Sequence, residues 1–295
     1  MILEKRIPIA YWFKIIKWDI VMVSLFSSAV YVLSKYSIDL NIPVSIGAFL
    51  GTAIALLLSF KLSQSYDRWW EARKIWGSIV NDSRTLVIQL RGFSRKQNEE
   101  LTNRMAYRQI AWCYALARNL RNAGRPKNIN TFISEQEQNS IDRTNNPALA
   151  LLNNQSQDLS LLHQENLIND FQQIQIDDTL VRLCASMGRA ERIKNTAFPK
   201  TYRSTLHLFI YIFLITLSFS LTEMPNFMEI PFMVLISIPF FLVEKIALNI
   251  QDPFENKPTD IPMTSISRTI EINIKQQLGV QDIPEPITTN TFYIL

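Results

Sequence analysis

Cysteine and histidine are the side chains most often used as nucleophiles and metal ligands, and this 295-residue chain has two of each. Cys113 and Cys184 lie far apart in polar, helix-like sequence, which supports neither a disulfide framework nor a zinc site. His163 and His207 have no Cys, His or Glu at ligand spacing. We therefore expect no metal site, and we expect both histidines to lack a catalytic partner.

Nucleotide chemistry is equally poorly supported. The chain has only 7 glycines, and it contains neither GxGxxG nor GxxxxGK[ST]. The net charge of +4 is modest, and we expect no nucleic-acid partner. A membrane-bound enzyme is disfavoured because no catalytic constellation occurs, so the sequence predicts a protein without enzymatic activity and without a cofactor.

Four apolar segments give the chain its organisation. A bilayer core of about 30 Å needs about 20 helical residues. Two uncharged segments, Pro43–Phe60 and Ser204–Thr222, approach that length, whereas Ile20–Leu33 and Ile230–Val243 are shorter. The last contains two prolines, which predict a bent or broken helix packed against protein. The sequence predicts an all-α membrane protein with four transmembrane helices; the alternative is a soluble helical protein with unusually apolar core helices.

The distribution of basic residues favours the membrane interpretation. Four of them precede the first segment, and 61–203 holds 21 Lys and Arg against 14 Asp and Glu. The loop TEMPNFME between the last two segments has no Lys or Arg. Positive charge collects on the cytoplasmic side of membrane proteins. We therefore predict a multi-pass protein of the cell inner membrane with both termini in the cytoplasm.

The polar sequence between the second and third segments is expected to form a large cytosolic helical region. Ser63 to about Ala123 has helical periodicity, Lys127–Gln157 is rich in polar residues and predicts a connector with one short helix, and Gln155–Arg192 is periodic again. Isoleucines every four residues in Thr264–Gly279 predict an amphipathic helix. The predicted divisions are 1–63 (N-terminal segment and two spans), 64–203 (cytosolic helices), 204–250 (two spans) and 251–295 (cytosolic loop, helix and tail).

The stretch SYDRWWEARKIWG, Ser65–Gly77, follows the second apolar segment and holds three of the six tryptophans. Tryptophan is enriched where a helix leaves the bilayer. Charged residues at i, i+3 spacing within it can form a ladder along the helix. We predict a structural junction made by Arg68, Trp69, Trp70 and Glu71.

Three blocks in order, SYDRWWEARKIWGSIVNDSR, ERIKNTAFPKTY and IQDPFENKPTDIPM, resemble bacterial homologues of the bestrophin family. The resemblance covers most of the chain. It implies a homopentameric ion channel, with four transmembrane helices per subunit and a large cytosolic helical region around one central pore. Its partners would be other copies of itself, permeant inorganic ions and the lipid bilayer.

The resemblance also implies a narrow hydrophobic neck lined by the second transmembrane helix, at positions that match Thr52, Leu56 and Phe60. These residues lie at i, i+4 and i+8, so they share one helix face. The alternative is that they are ordinary lipid-facing or packing residues. Thr52 departs from the bulky apolar residue usual in the family, which predicts a wider or wetter extracellular end. The nearby pair Gly47 and Gly51 permits close helix contact.

Two further sites are implied by the family. A second constriction, at the end of the cytosolic vestibule, should lie near Phe171, with Ile168 and Ile174 as rival positions. Eukaryotic members bind calcium in a loop that matches QDPFENKPTDIP, where Asp252 and Asp260 are kept. A lysine stands where an acidic ligand is expected, so calcium activation is doubtful.

The resulting hypothesis is passive ion conduction through a pentamer with a hydrophobic gate. The family is best known for chloride, and the excess of basic residues slightly favours anions. A monovalent-cation channel of the same fold, or a non-conducting membrane scaffold, remains the alternative.

Overall fold

A computed structural model describes residues 1–3, 6–36, 42–93, 99–124, 129–196, 200–221 and 228–295. Their regular structure is helical, and one isolated antiparallel bridge joins Ile2 to Tyr293. The helices are α1 (Ile9–Tyr36), α2 (Val44–Phe93), α3 (Glu99–Leu120), α4 (Glu135–Ile141), α5 (Pro147–Gln164), α6 (Asp170–Asn195), α7 (Lys200–Ser220), α8 (Glu229–Gln251) and α9 (Met263–Leu278).

The chain divides into two compact units. We name them the polar unit (Met1–Leu3, Trp70–Thr196 and Asp252–Leu295) and the apolar unit (Glu4–Trp69 and Ala197–Gln251). Helix α2 contributes its first half to the apolar unit and its second half to the polar unit.

The apolar unit is built from α1, the first half of α2, α7 and α8. Within the described residues, three helical segments are long and apolar enough to cross a membrane: Ile9–Leu33, Val44–Phe93 and Glu229–Gln251. A shorter apolar helix, Ser204–Ser220, corresponds to the third predicted segment. Their shared core consists of aliphatic and aromatic side chains, among them Val23, Ile54, Leu58, Phe213 and Phe241.

The polar unit is organised around α3, which packs against α5, α6 and α9. Trp112, Met105 and Leu116 of α3 are fully buried there. Polar side chains tie the second half of α2 into this bundle: the Arg84 guanidinium donates to Asn273 of α9 at 2.7 and 2.9 Å. Burial of a continuous apolar stripe, together with these bonds, explains why a unit with so many polar residues is compact.

Helix boundaries follow local capping. Helix α6 begins after Asn169, whose side chain and that of Gln172 form a reciprocal capping box. Helix α9 ends at Leu278 and is capped by Gly279, which adopts a left-handed conformation with φ of 74°. The helix predicted from the isoleucine spacing is therefore present, with both ends one residue earlier than predicted.

Two predictions about the helices were wrong. The polar connector contains two α-helices, because Pro147 occupies the first turn of α5, where its missing N–H costs nothing. Helix α3 ends at Leu120 instead of near Ala123, since Asn122 takes a positive φ of 51°. The segment with two prolines forms one helix, α8, which carries Pro239 inside it and is not broken.

The tail after α9 pairs with the beginning of the same chain. The Leu3 N–H donates to the Phe292 carbonyl at 2.9 Å, and the Ile294 N–H donates to the Met1 carbonyl at 2.9 Å. The Ser265 N–H donates to the backbone oxygen of Leu295 at 3.2 Å. Residues 280–295, whose order the sequence left undecided, are thus held by backbone hydrogen bonds at their end.

Candidate pore-lining face

The first half of α2 has one face packed within the apolar unit. Buried positions recur at alternating spacings of four and three residues: Gly47, Gly51, Ile54, Leu58, Lys61 and Ser65. This is the periodicity of a helix that packs along its length against neighbouring helices. The same periodicity leaves the opposite face of α2 uncovered by its own chain.

Close packing on the buried face depends on its glycines. A β-carbon placed at Gly51 would lie 3.1 Å from the Phe213 ring of α7, whereas one at Gly47 would lie 3.6 Å from Leu217, an ordinary contact. The predicted glycine pair therefore contacts α7, and Gly51 is the position where an added side chain would press on the Phe213 ring.

The three predicted neck residues lie on the uncovered face. Leu56 and Phe60 are 53% and 56% exposed, and Thr52 is also exposed. Phe49, which is 73% exposed and was not predicted to belong to this face, extends it by about one turn. Its i, i+7 relation to Leu56 was the available signal.

Thr52 differs from its two neighbours in its hydrogen bonding. Its hydroxyl donates to the Ala48 carbonyl, one turn earlier, at 2.9 Å. The O–H is therefore occupied within the helix, and the side chain presents its methyl group and the oxygen lone pairs outwards. In this rotamer the Thr52 hydroxyl can accept a hydrogen bond from water, but it has no free O–H to donate to an anion.

The three residues predicted for the cytosolic constriction differ in exposure. Phe171 and Ile174, in the first two turns of α6, are 80% and 65% exposed. Ile168 is 6% exposed and packs within its own chain. Phe171 and Ile174 are thus available to line an opening, and Ile168 is not.

The predicted junction runs through α2 without interruption. Trp70 is 47% exposed, and Trp69 and Arg68 are partly buried. The Glu71 carboxylate pairs with the Lys74 ammonium at 2.7 Å, as the i, i+3 spacing predicted. Trp76, which was grouped with the other tryptophans of this stretch, is fully buried and belongs to the core of the polar unit.

The loop that resembles a calcium site is engaged by the protein's own donors. Asp252 accepts the Phe254 N–H at 3.1 Å and the Lys194 ammonium at 2.7 Å. Asp260 is buried and accepts the Lys257 N–H at 3.1 Å. The Lys257 ammonium pairs with Glu255. A calcium ion needs about six to eight oxygen ligands, and both matching carboxylates here already accept hydrogen bonds from the protein.

Neither cysteine is placed for chemistry with a metal. Burial raises the pKa of the Cys113 thiol to about 12, although Ser83 and Gln109 contact its sulfur. A thiol of such high pKa is a weak nucleophile and a poor ligand. Cys184 is exposed. The described residues contain no group of three or more His, Cys, Asp and Glu side chains that could hold a metal ion.

The expectation that both histidines lack a partner was wrong. His163 Nε2 lies 2.7 Å from Asp170, seven residues later. His207 Nδ1 lies 3.1 Å from both carboxylate oxygens of Glu244, on a different helix. The second contact joins residues 37 positions apart, so local spacing could not show it.

Comparison with known proteins covers nearly the whole chain. The voltage-dependent anion channel-forming protein YneE of Escherichia coli K12 is 29% identical over 273 residues, which are 92% of this chain and 89% of that protein. A voltage-dependent anion channel-forming protein of Nostoc sp. is 28% identical over 261 residues, 86% of this chain and 84% of that protein.

The fold has a close counterpart among solved structures. The crystal structure of a bacterial bestrophin homologue from Klebsiella pneumoniae matches 90% of this chain and 99% of its own, with 26% identity and a TM-score of 0.84. Residues 13–276 match the family described as Bacterial/Fungal Bestrophin protein. The chain is therefore a membrane protein of the bacterial and fungal bestrophin family.

Proposed function

We propose that this protein is a passive ion channel that assembles as a homopentamer with four membrane-crossing helices in each subunit. The four are α1, the first half of α2, α7 and α8. Relatives with 29% and 28% identity bear the name voltage-dependent anion channel-forming protein, which supports conduction as the activity. The charge distribution supports insertion in the cell inner membrane with both termini in the cytoplasm.

The exposed face of α2 is the observation that carries this proposal. Thr52, Leu56 and Phe60 project from the side of α2 that its own chain leaves uncovered. In a fivefold assembly they would form successive rings around the axis. An ion that enters a narrow ring of Leu or Phe loses hydration, so such rings gate by excluding water. A second constriction in the polar unit would be formed by Phe171 or Ile174, the two exposed residues of the three predicted for it.

We infer a slight preference for anions. An apolar neck has no fixed charge, so selectivity must come from charges elsewhere, and the region 61–203 has an excess of basic residues. One observation favours the alternative of a cation channel: Thr52 presents oxygen lone pairs instead of a hydroxyl donor.

We also propose that opening does not require calcium. The Lys194 ammonium already occupies Asp252, and Lys257 brings a positive charge into the loop. Conduction in the presence of a strong chelator should equal conduction with added calcium. Loss of current on chelation would contradict this.

The decisive experiment is a reversal-potential measurement on the purified protein in planar bilayers under a KCl gradient. We expect the potential to lie on the chloride side of zero, and a value near the potassium equilibrium would establish a cation channel. Leu56→Ala and Phe60→Ala widen the rings, so each should raise the conductance. Leu235→Ala is the matched control, because Leu235 is 64% exposed on α8 and outside the proposed neck.

A change of conductance in both neck variants, together with an unchanged conductance in Leu235→Ala, would establish the neck. An equal change in all three variants would show that the effect is a general loss of packing. No current from any of the four proteins would favour the non-conducting scaffold.

A further inference from the structure

Three ionisable side chains from three helices meet inside the apolar unit. Lys61 of α2 and Glu244 of α8 are both fully buried, with 4.0 Å between the ammonium nitrogen and the nearer carboxylate oxygen. His207 of α7 approaches the same carboxylate, with its Nδ1 at 3.1 Å from each oxygen. Its side chain is 36% exposed, so protons can reach the ring from outside the cluster.

Other charged and titratable groups among the described residues lie near His207. On α8, Lys245 pairs with Asp19 of α1 at 3.3 Å. On α7 itself, the Tyr211 ring packs edge-on against the imidazole at 5.2 Å, and Tyr211 is within electrostatic reach of Asp19 and Glu244. Among these described residues, the two lysines balance the two carboxylates, so a proton on His207 adds one positive charge to this group of side chains.

The geometry of the carboxylate makes His207 and Lys61 competitors. Glu244 lies in hydrogen-bond range of the imidazole, whereas its separation from Lys61 permits Coulomb attraction without a short hydrogen bond. A neutral imidazole competes with Lys61 for the Glu244 carboxylate only as a hydrogen-bond donor. A protonated imidazole competes as a charged donor at shorter range, where the interaction is strengthened by the low local dielectric.

Lys61 is also the residue that directly follows Phe60. The attraction between Lys61 and Glu244 therefore holds the turn of α2 that carries the innermost residue of the proposed neck. Adjacent residues on a helix point about 100° apart, so Lys61 is anchored inside the unit while Phe60 projects outwards.

We propose that His207, Glu244 and Lys61 form a proton-sensitive tether on α2. Protonation of His207 draws the Glu244 carboxylate away from Lys61 and releases the turn that carries Phe60. The ring of Phe60 side chains then widens more readily, and the ion current rises as the pH falls. Imidazole titrates in the range where such a response would act in a cell. This inference rests on the proposed conduction through the neck.

The chain provides its own control, because it has two histidines and His163 lies in the polar unit beside Asp170. Currents of the parent, His207→Gln and His163→Gln should be compared from about pH 8 to about pH 5.5. We expect the parental current to rise at least about fivefold, as a coupling of about 1 kcal/mol implies. His207→Gln should lose the rise and His163→Gln should keep it.

A second measurement tests the competition without current. Carbon-13 NMR of histidine-labelled protein should give two titrating signals, assigned with the two variants. Lys61→Met removes the competing charge, so the titration midpoint of the His207 signal should change while that of His163 stays in place.

The outcomes separate the two proposals. A full pH response in His207→Gln, a response lost in His163→Gln, or a His207 titration insensitive to Lys61→Met would each overturn the tether. Absence of parental current at every pH would refute conduction and the gating role with it. The NMR shift would then still decide whether His207 and Lys61 compete for Glu244.

Discussion

Each compact unit buries a cluster of charges, and the two clusters differ in how tightly the charges are matched. In the polar unit, Arg108 is 4% exposed and binds Glu137 through Nε and a second nitrogen, the latter at 3.3 Å. It also binds Asp158 at 2.6 Å and Gln155 at 3.2 Å. Asn154 donates a further hydrogen bond to Glu137 at 2.9 Å.

The apolar unit has the opposite arrangement. Its buried lysine and glutamate stand 4.0 Å apart, and a histidine that can gain a proton shares the carboxylate. A planar guanidinium that donates to two carboxylates fixes one geometry, whereas an ammonium at this distance does not. The comparison indicates that the first cluster stabilises the fold and that the second can change state.

The largest effect is expected from Arg108→Met, which leaves Glu137 and Asp158 buried without their common cation. Removal of one partner from a buried ionic network typically costs about 3–5 kcal/mol in the free energy of unfolding. Arg104→Met is the matched control. Arg104 also binds Asp158, at 2.6 and 3.0 Å, but its side chain is 48% exposed, so we expect a loss of about 1 kcal/mol or less. Equilibrium denaturation in detergent would measure both, and equal losses would contradict the structural role of Arg108.

Asp260 sharpens the comparison, because it is a buried carboxylate of the polar unit that accepts a backbone N–H, that of Lys257 at 3.1 Å. Burial raises the pKa of Asp260 from its ordinary 3.8 to about 6, although backbone N–H groups oppose the rise. The folded protein therefore binds more protons than the unfolded chain between about pH 4 and pH 6, and the free energy of unfolding falls as the pH rises through that window. The shift corresponds to a loss of about 2–3 kcal/mol.

Asp260→Asn should abolish this dependence, and Asp282→Asn, at an exposed position of the same unit, should retain it. Denaturation curves at several pH values would show whether the slopes of parent and Asp260→Asn differ. Parallel slopes would mean that Asp260 titrates normally.

Lys61→Met should cost less stability than Arg108→Met. Methionine preserves much of the buried volume, and Glu244 keeps His207, which can take up a proton to replace the lost charge. We expect a loss of no more than about 2 kcal/mol, below that of Arg108→Met. A loss equal to that of Arg108→Met would remove the contrast between the two clusters.

The sequence predicted features that depend on near neighbours. The apolar segments predicted α2 and α7, and the isoleucine spacing predicted α9, because helical periodicity is a property of neighbouring residues. The start of α6 was also accessible, since Asn169 followed by Gln172 is the pattern of a capping box. The i, i+4, i+8 relation of Thr52, Leu56 and Phe60 likewise places them on one face before any coordinates are known.

Contacts between distant residues could not be predicted in this way. His207 and Glu244 belong to different helices, and neither has an unusual local pattern. The exposure of Phe171 and the burial of Ile168 also depend on which helices cover them, which the sequence of one turn does not reveal. Pro147 was ambiguous for another reason, because proline can open a helix as well as interrupt one.

Helix α2 continues for 50 residues, about 75 Å, and this continuity constrains how the gene can change. A single codon inserted between Phe60 and Trp76 would turn every later side chain of α2 by about 100° relative to the neck residues. Trp76 would then leave its buried position unless the helix broke. Insertions or deletions of about seven or about eleven residues, close to two or three full turns, would keep both stretches in phase. Length variation among natural relatives should therefore avoid 44–93 and collect in the connectors between helices.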